Sequence, residues 1–544
     1  MCAAVGALPD DSGRGEELTT SRSGVEEVYQ GRCWSGMSPG HLAVCLPGVV
    51  LGTGGVAWFV AGLDRVSPSH LRAALVVLAE ASAEHPRLAR LMAEVGQDGA
   101  AGLARAGLVV ARQSTRPEPL VAMLLRLIRT TDDPETVNLV VSLLPRRSTV
   151  LGTVAVAALE RQVGALRTLG NDDPALANAL RDWSVRLREL GRAEAALVAG
   201  QEAATICRSL VERDPDAHQP ALADALDNLA LCHAAAGSPR EALATAQEAT
   251  RMCRELADRD RLAHRGRLGS ALHTVALCLG GVRRRGEALE LAEEAAELYR
   301  GLAEPTRRGY QSELASVVTA SAHQLTGLGR HREALERTKE AARIRRRLTR
   351  QDTDAHLPDL ASSVLLLARQ FAALGEQADA FRHANDAVRF YRSLAEQSPD
   401  LYQANLASSL LTLTSALAMA GRRKAALEHA EEATRLYRHL ELASSDRYLP
   451  ALASAVNNLA TTLAASGRTE EAIGHAQEAV RIRRDLVRRD PDTHQAALAS
   501  SLHNLAKRLR SLGRTEEATR PAQEAAKIYR RASEARGARS LLPG

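Results

Sequence analysis

A phrase of 46 residues returns eight times along this chain without a slip in register, and nothing else in the sequence restricts the fold as tightly. One alanine column runs Ala196, Ala242, Ala288, Ala334, Ala380, Ala426, Ala472, Ala518. A second runs Ala203, Ala249, Ala295, Ala341, Ala387, Ala433, Ala479, Ala525. A leucine column runs Leu176, Leu222, Leu268, Leu314, Leu360, Leu406, Leu452, Leu498. Glycine stands at 191, 237, 329, 375, 421, 467 and 513, and only Arg283 departs from that column. A chain with such a period is quasi-one-dimensional, because each unit buries its apolar face on its neighbours.

Within a unit the apolar spacing is helical twice over. In the seventh copy Leu452, Val456, Leu459 and Leu463 mark one helical stripe. Gly467 ends that helix, where a left-handed backbone suits glycine. A second helix is predicted from about Glu470 to Arg488, with Ala472, Ala476, Ala479, Ile482 and Leu486 on one face. A Pro491-Asp492 turn follows, and the aspartate is expected to cap the next helix. Aromatic residues are only 3% of the chain, so alanine and leucine must supply the packing.

The offsets Leu459-Ala460, Gly467, Ala472, Ala476 and Ala479 resemble the tetratricopeptide-repeat (TPR) pattern. That pattern has a Leu-Gly pair in helix A, a glycine turn, and small residues at three places in helix B. The resemblance covers residues 171–532. The chain departs from it in three ways: Ala usually follows the Leu, Ala usually replaces the large aromatic of helix B, and Arg (as at Arg484) replaces the closing Pro. The unit is also longer than the usual 34 residues, by about 18 Å of helix shared between its two arms. Long units of this kind look like those of kinesin light chain, and more like arrays beside NTPase domains in actinobacterial proteins. The resemblance implies an all-α fold, a right-handed TPR superhelix (α-solenoid) of about eight repeats over residues 171–536, preceded by a smaller helical region and followed by a tail at 537–544. A HEAT-type array is the alternative for the repeat length, and the fixed Gly-then-Ala spacing favours TPR. What the family implies for function is a scaffold or adaptor that holds a protein or peptide in a concave groove lined by the A helices, in signalling or regulation, with no catalysis and no cofactor.

Several columns look chemical and are predicted to be structural. Glu202, Glu248, Glu294, Glu340, Asp386, Glu432, Glu478 and Glu524 form an acidic column, and Arg208, Arg254, Arg300, Arg346, Arg392, Arg438, Arg484 and Arg530 a basic one. Residues six apart do not share a helix face, so each is expected to bond across to a neighbouring helix or turn. His218, His264, Tyr310, His356, Tyr402, Tyr448 and His494 share one turn position, and exchange with Tyr argues against a zinc site. Seven Cys include no C-x-x-C pair, which fits packing residues in a reducing, cytoplasmic setting. Net charge is only +5, and basic runs such as Arg345-Arg346-Arg347 alternate with acids along helices, which argues against nucleic acid.

Specificity is expected where the A-helix columns vary. One reads Arg181, Asp227, His273, Thr319, Leu365, Leu411, Asn457, His503, and another Val185, Leu231, Leu277, His323, Arg369, Ser415, Thr461, Lys507. The middle is apolar apart from Arg369, and the C-terminal end gathers Asn457, Asn458, Thr461, His503, Asn504, Lys507, Arg508 and Arg510. Asn and Lys on facing helices can hold a carboxylate by charge-assisted hydrogen bonds. Asn458 and Asn504 match the Asn column of the clamp that some TPR proteins use for an acidic peptide terminus, with Lys507 one turn on. A solvated face at the end of a solenoid is the competing reading. Equal repeats also stack on one another, so self-association is possible, and the polar edge at Arg530, Arg531, Glu534 and Arg536 is expected to discourage it.

The N-terminal third carries no trace of the period. Residues 1–40 are polar and rich in Gly and Ser, and read as disordered. Residues 42–63 are uncharged and long enough to span a bilayer, with a Gly48/Gly52 pair. Interrupting glycines, Pro47 and the lack of flanking basic clusters give the alternative of a buried irregular segment, so a membrane-tethered adaptor is the second functional reading. Helices are predicted at 69–84, 118–131 and 149–168, and residues 117–170 resemble the helical adaptor that joins such arrays to an NTPase. No G-x-x-x-x-G-K-[ST] occurs. Gly36-Met37-Ser38-Pro39-Gly40 fits a nucleophile elbow by letters, yet it lacks the preceding apolar strand, which leaves a Ser38 hydrolase as the distant third reading.

Overall fold

Aspartate and proline set where the A helices begin. In the computed structural model, which describes residues 68–82, 100–114, 116–170, 173–302, 310–443 and 447–540, Asp214, Asp352 and Asp490 are N-caps with extended backbone. Their carboxylates accept the N–H of Ala217 at 3.1 Å, Ala355 at 3.1 Å and Thr493 at 3.2 Å. Pro215 and Pro491 follow two of these caps at the first helical position, where a missing N–H costs nothing. The expected cap at Asp492 is therefore displaced: Asp490 does that work, and residue 492 already lies in the first turn.

The described residues form 21 helices and no strand. The N-terminal region contributes α1 Pro68–Ala81, α2 Ala100–Gln113, α3 Glu118–Thr130, α4 Pro134–Leu143 and α5 Gly152–Leu169. They share one core around Leu75, Leu120, Leu124, Ile128 and Val154, while Val156 and Val163 of α5 join the core of the first repeats. The candidate adaptor stretch 117–170 is thus packed into one body with the helices before it. Expectations for residues 1–40 and 42–63, and for Ser38, lie outside the described residues.

The array follows as A and B helices in alternation, even-numbered and odd-numbered. The first unit ends with α6 Pro174–Glu189, α7 Ala193–Arg213, α8 Pro215–Ala235, α9 Pro239–Arg259 and α10 Arg261–Gly281. The second unit begins at Arg285 and holds α11 Arg285–Leu302, α12 Gln311–Gly327, α13 His331–Gln351, α14 Thr353–Ala373, α15 Gln377–Gln397, α16 Pro399–Met419, α17 Arg423–Ala443, α18 Leu449–Ala465, α19 Thr469–Arg489, α20 Pro491–Ser511 and α21 Thr515–Ser540. Every B helix starts 46 residues after the last. Within each unit successive helices pack pairwise, as a TPR-like solenoid does. The alanine columns explain the close approach, since Ala242, Ala334, Ala387 and Ala472 are fully buried between helices.

Gly375 shows how each A helix stops. Its φ is 79°, and the pair of bonds Gly375 N–H to Ala372 O (3.1 Å) and Glu376 N–H to Phe371 O (2.9 Å) forms a Schellman motif. Arg283 adopts the same left-handed backbone at φ 64° without glycine's freedom. Arg283→Gly is expected to stabilise the third repeat by about 1 kcal/mol, read as a higher denaturant midpoint with an unchanged slope.

The acidic and basic columns meet between successive B helices. Arg300 reaches Glu340 at 3.2 Å, Arg392 reaches Glu432 at 2.7 Å, Arg438 reaches Glu478 at 2.9 Å, and Arg484 reaches Glu524 at 2.6 Å. Arg208 and Glu248 repeat the contact at 3.5 Å. Each pair is partly solvated and contributes up to about 1 kcal/mol, so the ladder sets spacing more than stability. Asp386 is one methylene shorter and bonds its own Arg389 at 3.2 Å.

Candidate functional site

The face made by α18 and α20 brings together most of the polar residues that the varying columns singled out. Asn504 donates its Nδ2 to Asn457 Oδ1 at 3.2 Å, and Ser501 Oγ reaches the same oxygen at 3.5 Å. Thr461 Oγ1 donates to Asn457 O at 2.9 Å. Asn457, Asn458 and Asn504 are half-buried, and the Asn457–Asn504 bond stitches the two A helices together. His503, Lys507 and Arg510 are exposed, and none has a bonding partner among the described residues. Lys507 and Arg510 place two uncompensated cations on one turn of α20, with the imidazole of His503 one turn before Lys507.

Arg508 does not belong with them. It is 5% exposed, donating from Nη1 to Asn504 O at 2.7 Å, from Nη2 to Thr461 Oγ1 at 2.6 Å and from Nε to Ala460 O at 3.3 Å. Burial lowers its affinity for a proton, and three bonds compensate. Its column explains the difference: Cys232, Cys278, Gln324, Gln370, Ala416 and Thr462 occupy the same place and are all buried. Read down that column, the sequence already carried the signal that Arg508 points inward.

Arg369, two repeats upstream, is exposed and bonds Ser408 Oγ at 2.7 Å and Thr412 Oγ1 at 3.5 Å on the next A helix. It stands apart from the α18–α20 cluster. His323 stands one repeat before it in the same column. Lost hydration in the groove, then Arg369 and Arg345, hold its ring below the usual histidine value. Two further arginines lie buried on the B helices. Arg345 bonds Ser363 Oγ at 2.6 Å and Asp359 O at 3.2 Å, while Arg483 bonds Ala497 O and Ser454 Oγ.

His383 offers a pH test of the packing. It is buried and stacked on Phe371 with centroids 5.3 Å apart. Burial first, then Arg382 and Arg346, depress its pKa. A histidine that binds its proton less readily when folded contributes stability fully above its unfolded value, near 6.5, and loses it as pH falls below that. Stability is expected to drop between about pH 7 and pH 5.5, with a smaller drop in His383→Leu. Equal drops in the two proteins would contradict this.

The thiols among the described residues are packing groups. Cys207, Cys232, Cys253 and Cys278 are free and buried, and burial pushes Cys253 up to about 12 and Cys278 to about 11. At the shared turn position, His264 Nδ1 faces Arg267 Nη1 at 2.7 Å and Tyr310 stacks on Tyr299 at 5.8 Å. Among the described residues no three His, Cys, Asp or Glu side chains are grouped to hold a metal. A cleft of about 750 Å³ opens between α19, α20 and α21 over Leu498, Leu502, Leu505 and Leu509. These leucines lie in core positions of the repeat, so the cleft is a seam of the packing. Among the described residues no helix is long and apolar enough to cross a membrane.

Stacked antiparallel helix pairs with a glycine-closed A helix define the class: an α-solenoid of helical hairpins. Residues 452–531 match the family model described as Tetratricopeptide repeat. TPR arrays serve generically as protein-interaction scaffolds, and the fold is usually non-catalytic. No curated protein matches the chain significantly. Among solved structures it is similar to BtubC (BKLC) from P. vanneervenii, at 19% identity over 47% of this chain and 92% of that one, with a TM-score of 0.36. It is also similar to a Rap protein complexed with competence and sporulation factor, at 14% identity over 76% and 98%, TM-score 0.44. A third is a putative kinesin light chain of Podosopora anserina with nearly identical TPR-like repeats, at 21% identity over 41% and 98%, TM-score 0.30.

Proposed function

We propose that the protein is a cytoplasmic adaptor in a signalling or regulatory assembly, and that the A-helix face of its second unit holds an acidic segment of a partner protein. One observation carries the reading. The A-helix stretches 314–327, 360–373, 406–419, 452–465 and 498–511 contain no Asp or Glu at all, whereas every B helix of that unit carries several. Over those stretches the face offers Ser, Thr and Asn hydroxyls and amides, the imidazole of His503, the cations Arg369, Lys507 and Arg510, and no carboxylate to repel an anionic ligand. Asn504 and Lys507 are one turn apart on α20, close enough to serve one carboxylate. The buried, unpaired thiols are in keeping with a reducing compartment.

Exposed residues make the clean test. Lys507→Glu with Arg510→Glu is expected to weaken a fluorescein-labelled Asp/Glu-rich peptide by about tenfold or more, with the far-UV helical signal unchanged. Binding to the wild-type chain should fall with added salt. An affinity unmoved by the double reversal would sink the reading.

A further inference from the structure

One cation stands at the same place in every B helix from α13 to α21: Arg343, Arg389, Arg435, Arg481 and Lys527. All are exposed. Each lies nine residues, about two and a half turns, after the buried alanine of its own helix (Ala334, Ala380, Ala426, Ala472, Ala518). The row therefore points away from the packing and from the A helices. In α11 the same place holds Glu297.

The ordinary roles of a helix arginine do not account for the row. The helix dipole favours cations in the last turn only, and Arg343, Arg389, Arg435 and Arg481 stand two turns before the ends at Gln351, Gln397, Ala443 and Arg489. The acids one turn before them are already taken, Glu340 by Arg300, Glu432 by Arg392 and Glu478 by Arg438. Only Arg389 keeps an acid of its own, Asp386 at 3.2 Å, and that bond leaves the flanking Arg346 without its rung of the ladder. Two turns beyond the row, Arg350 and Arg488 extend the positive charge, and Leu442, at the same place on α17, is 83% exposed. Two acids share that part of the face, Glu396 and Asp485, and Arg488 bonds the second.

The ladder holds successive B helices side by side, so the row offers one guanidinium per ~10 Å. A nucleic-acid duplex carries one charge per ~1.7 Å of its axis, a far denser array, and gives an exposed leucine nothing to enter. An anionic bilayer suits both features. Its lipids diffuse until a phosphate lies under each guanidinium fork, and a leucine beside them reaches the acyl boundary. The anionic leaflet also faces the reducing side of a cell membrane.

We propose that the outer face of α13, α15, α17 and α19 is a peripheral membrane-binding surface. Arg343, Arg389, Arg435 and Arg481 take anionic phospholipid headgroups, and Leu442 enters the bilayer edge. The surface faces away from the A helices and does not depend on the groove reading.

The test is co-sedimentation of the full chain with phosphatidylcholine vesicles, with and without phosphatidylglycerol. Binding is expected to the anionic vesicles alone and should weaken with added salt. Arg343→Gln with Arg435→Gln and Arg481→Gln, at exposed positions that leave the helical signal unchanged, should weaken it by about a hundredfold. Leu442→Ser should weaken it by about fivefold. Arg105→Gln with Arg126→Gln and Arg129→Gln removes the same charge from exposed positions of α2 and α3, and should leave binding within about twofold. Absence of binding to the anionic vesicles would overturn the surface, as would equal losses in the two triple variants, which would reduce the effect to net charge. Retention of duplex DNA through the row, with vesicles left unbound, would also overturn it and assign the row to nucleic acid.

Discussion

Replacing Tyr391 by alanine is expected to destabilise its repeat and the next by about 3–5 kcal/mol, the range for emptying a large aromatic site in a core. The ring is 2% exposed and wedged among Leu394, Leu406 and Leu410, and its hydroxyl bonds Asn405 and Ser362. Little of the void can collapse, because the residues around it are themselves held in the packed core of the repeat. Tyr391→Phe keeps the volume and loses only the hydroxyl bonds, a change of about 1 kcal/mol. Amide hydrogen exchange should show the loss spread over α14 to α17 while α1 to α5 keep their protection, since repeats couple mainly to nearest neighbours. Uniform loss across the chain would mean that the array folds as one cooperative block.

Gly375→Val should cost the fifth repeat about 2 kcal/mol. The cost is conformational alone. A Cβ at Gly375 meets nothing within 4 Å, so the penalty comes from forcing a β-branched residue to φ 79°. Gly375→Asn tolerates that backbone and should lose much less. Arg283, which stands in the same place of the third repeat, probes the same backbone strain from the opposite direction, with a smaller effect because its side chain is not β-branched. If Gly375→Asn proves as harmful as Gly375→Val, strain at the helix end is not the cause.

How much was legible follows from what the period can report. Every B helix sits where its alanine columns put it, and the helix predicted from about Glu470 to Arg488 is Thr469–Arg489. The acidic and basic columns were correctly assigned to contacts across helices, because six-residue spacing excludes a shared face. The capping residue was misplaced, since both Asp490 and Asp492 flank Pro491 and only the backbone shows which is extended. For the site, the period says which positions are equivalent but not which way they point. Lys507 and Arg508 are adjacent cations, yet one is exposed and the other buried. The neighbours of Arg508 in its column held that information in the form of Cys, Gln and Ala. Tyr529 is the reverse case. Its column is buried in the seven earlier copies, whereas Tyr529 is exposed.

The central claim is that the A-helix face of the second unit is the partner surface. Hydrogen-exchange mass spectrometry of the full chain, with and without a saturating Asp/Glu-rich peptide, tests it most directly. Added protection in α18 and α20, around residues 452–465 and 498–511, with none on the outer turns of α19 and α21, is the result this account predicts. Protection confined to the B helices, or found in α1 to α5, would contradict it and place the partner surface elsewhere.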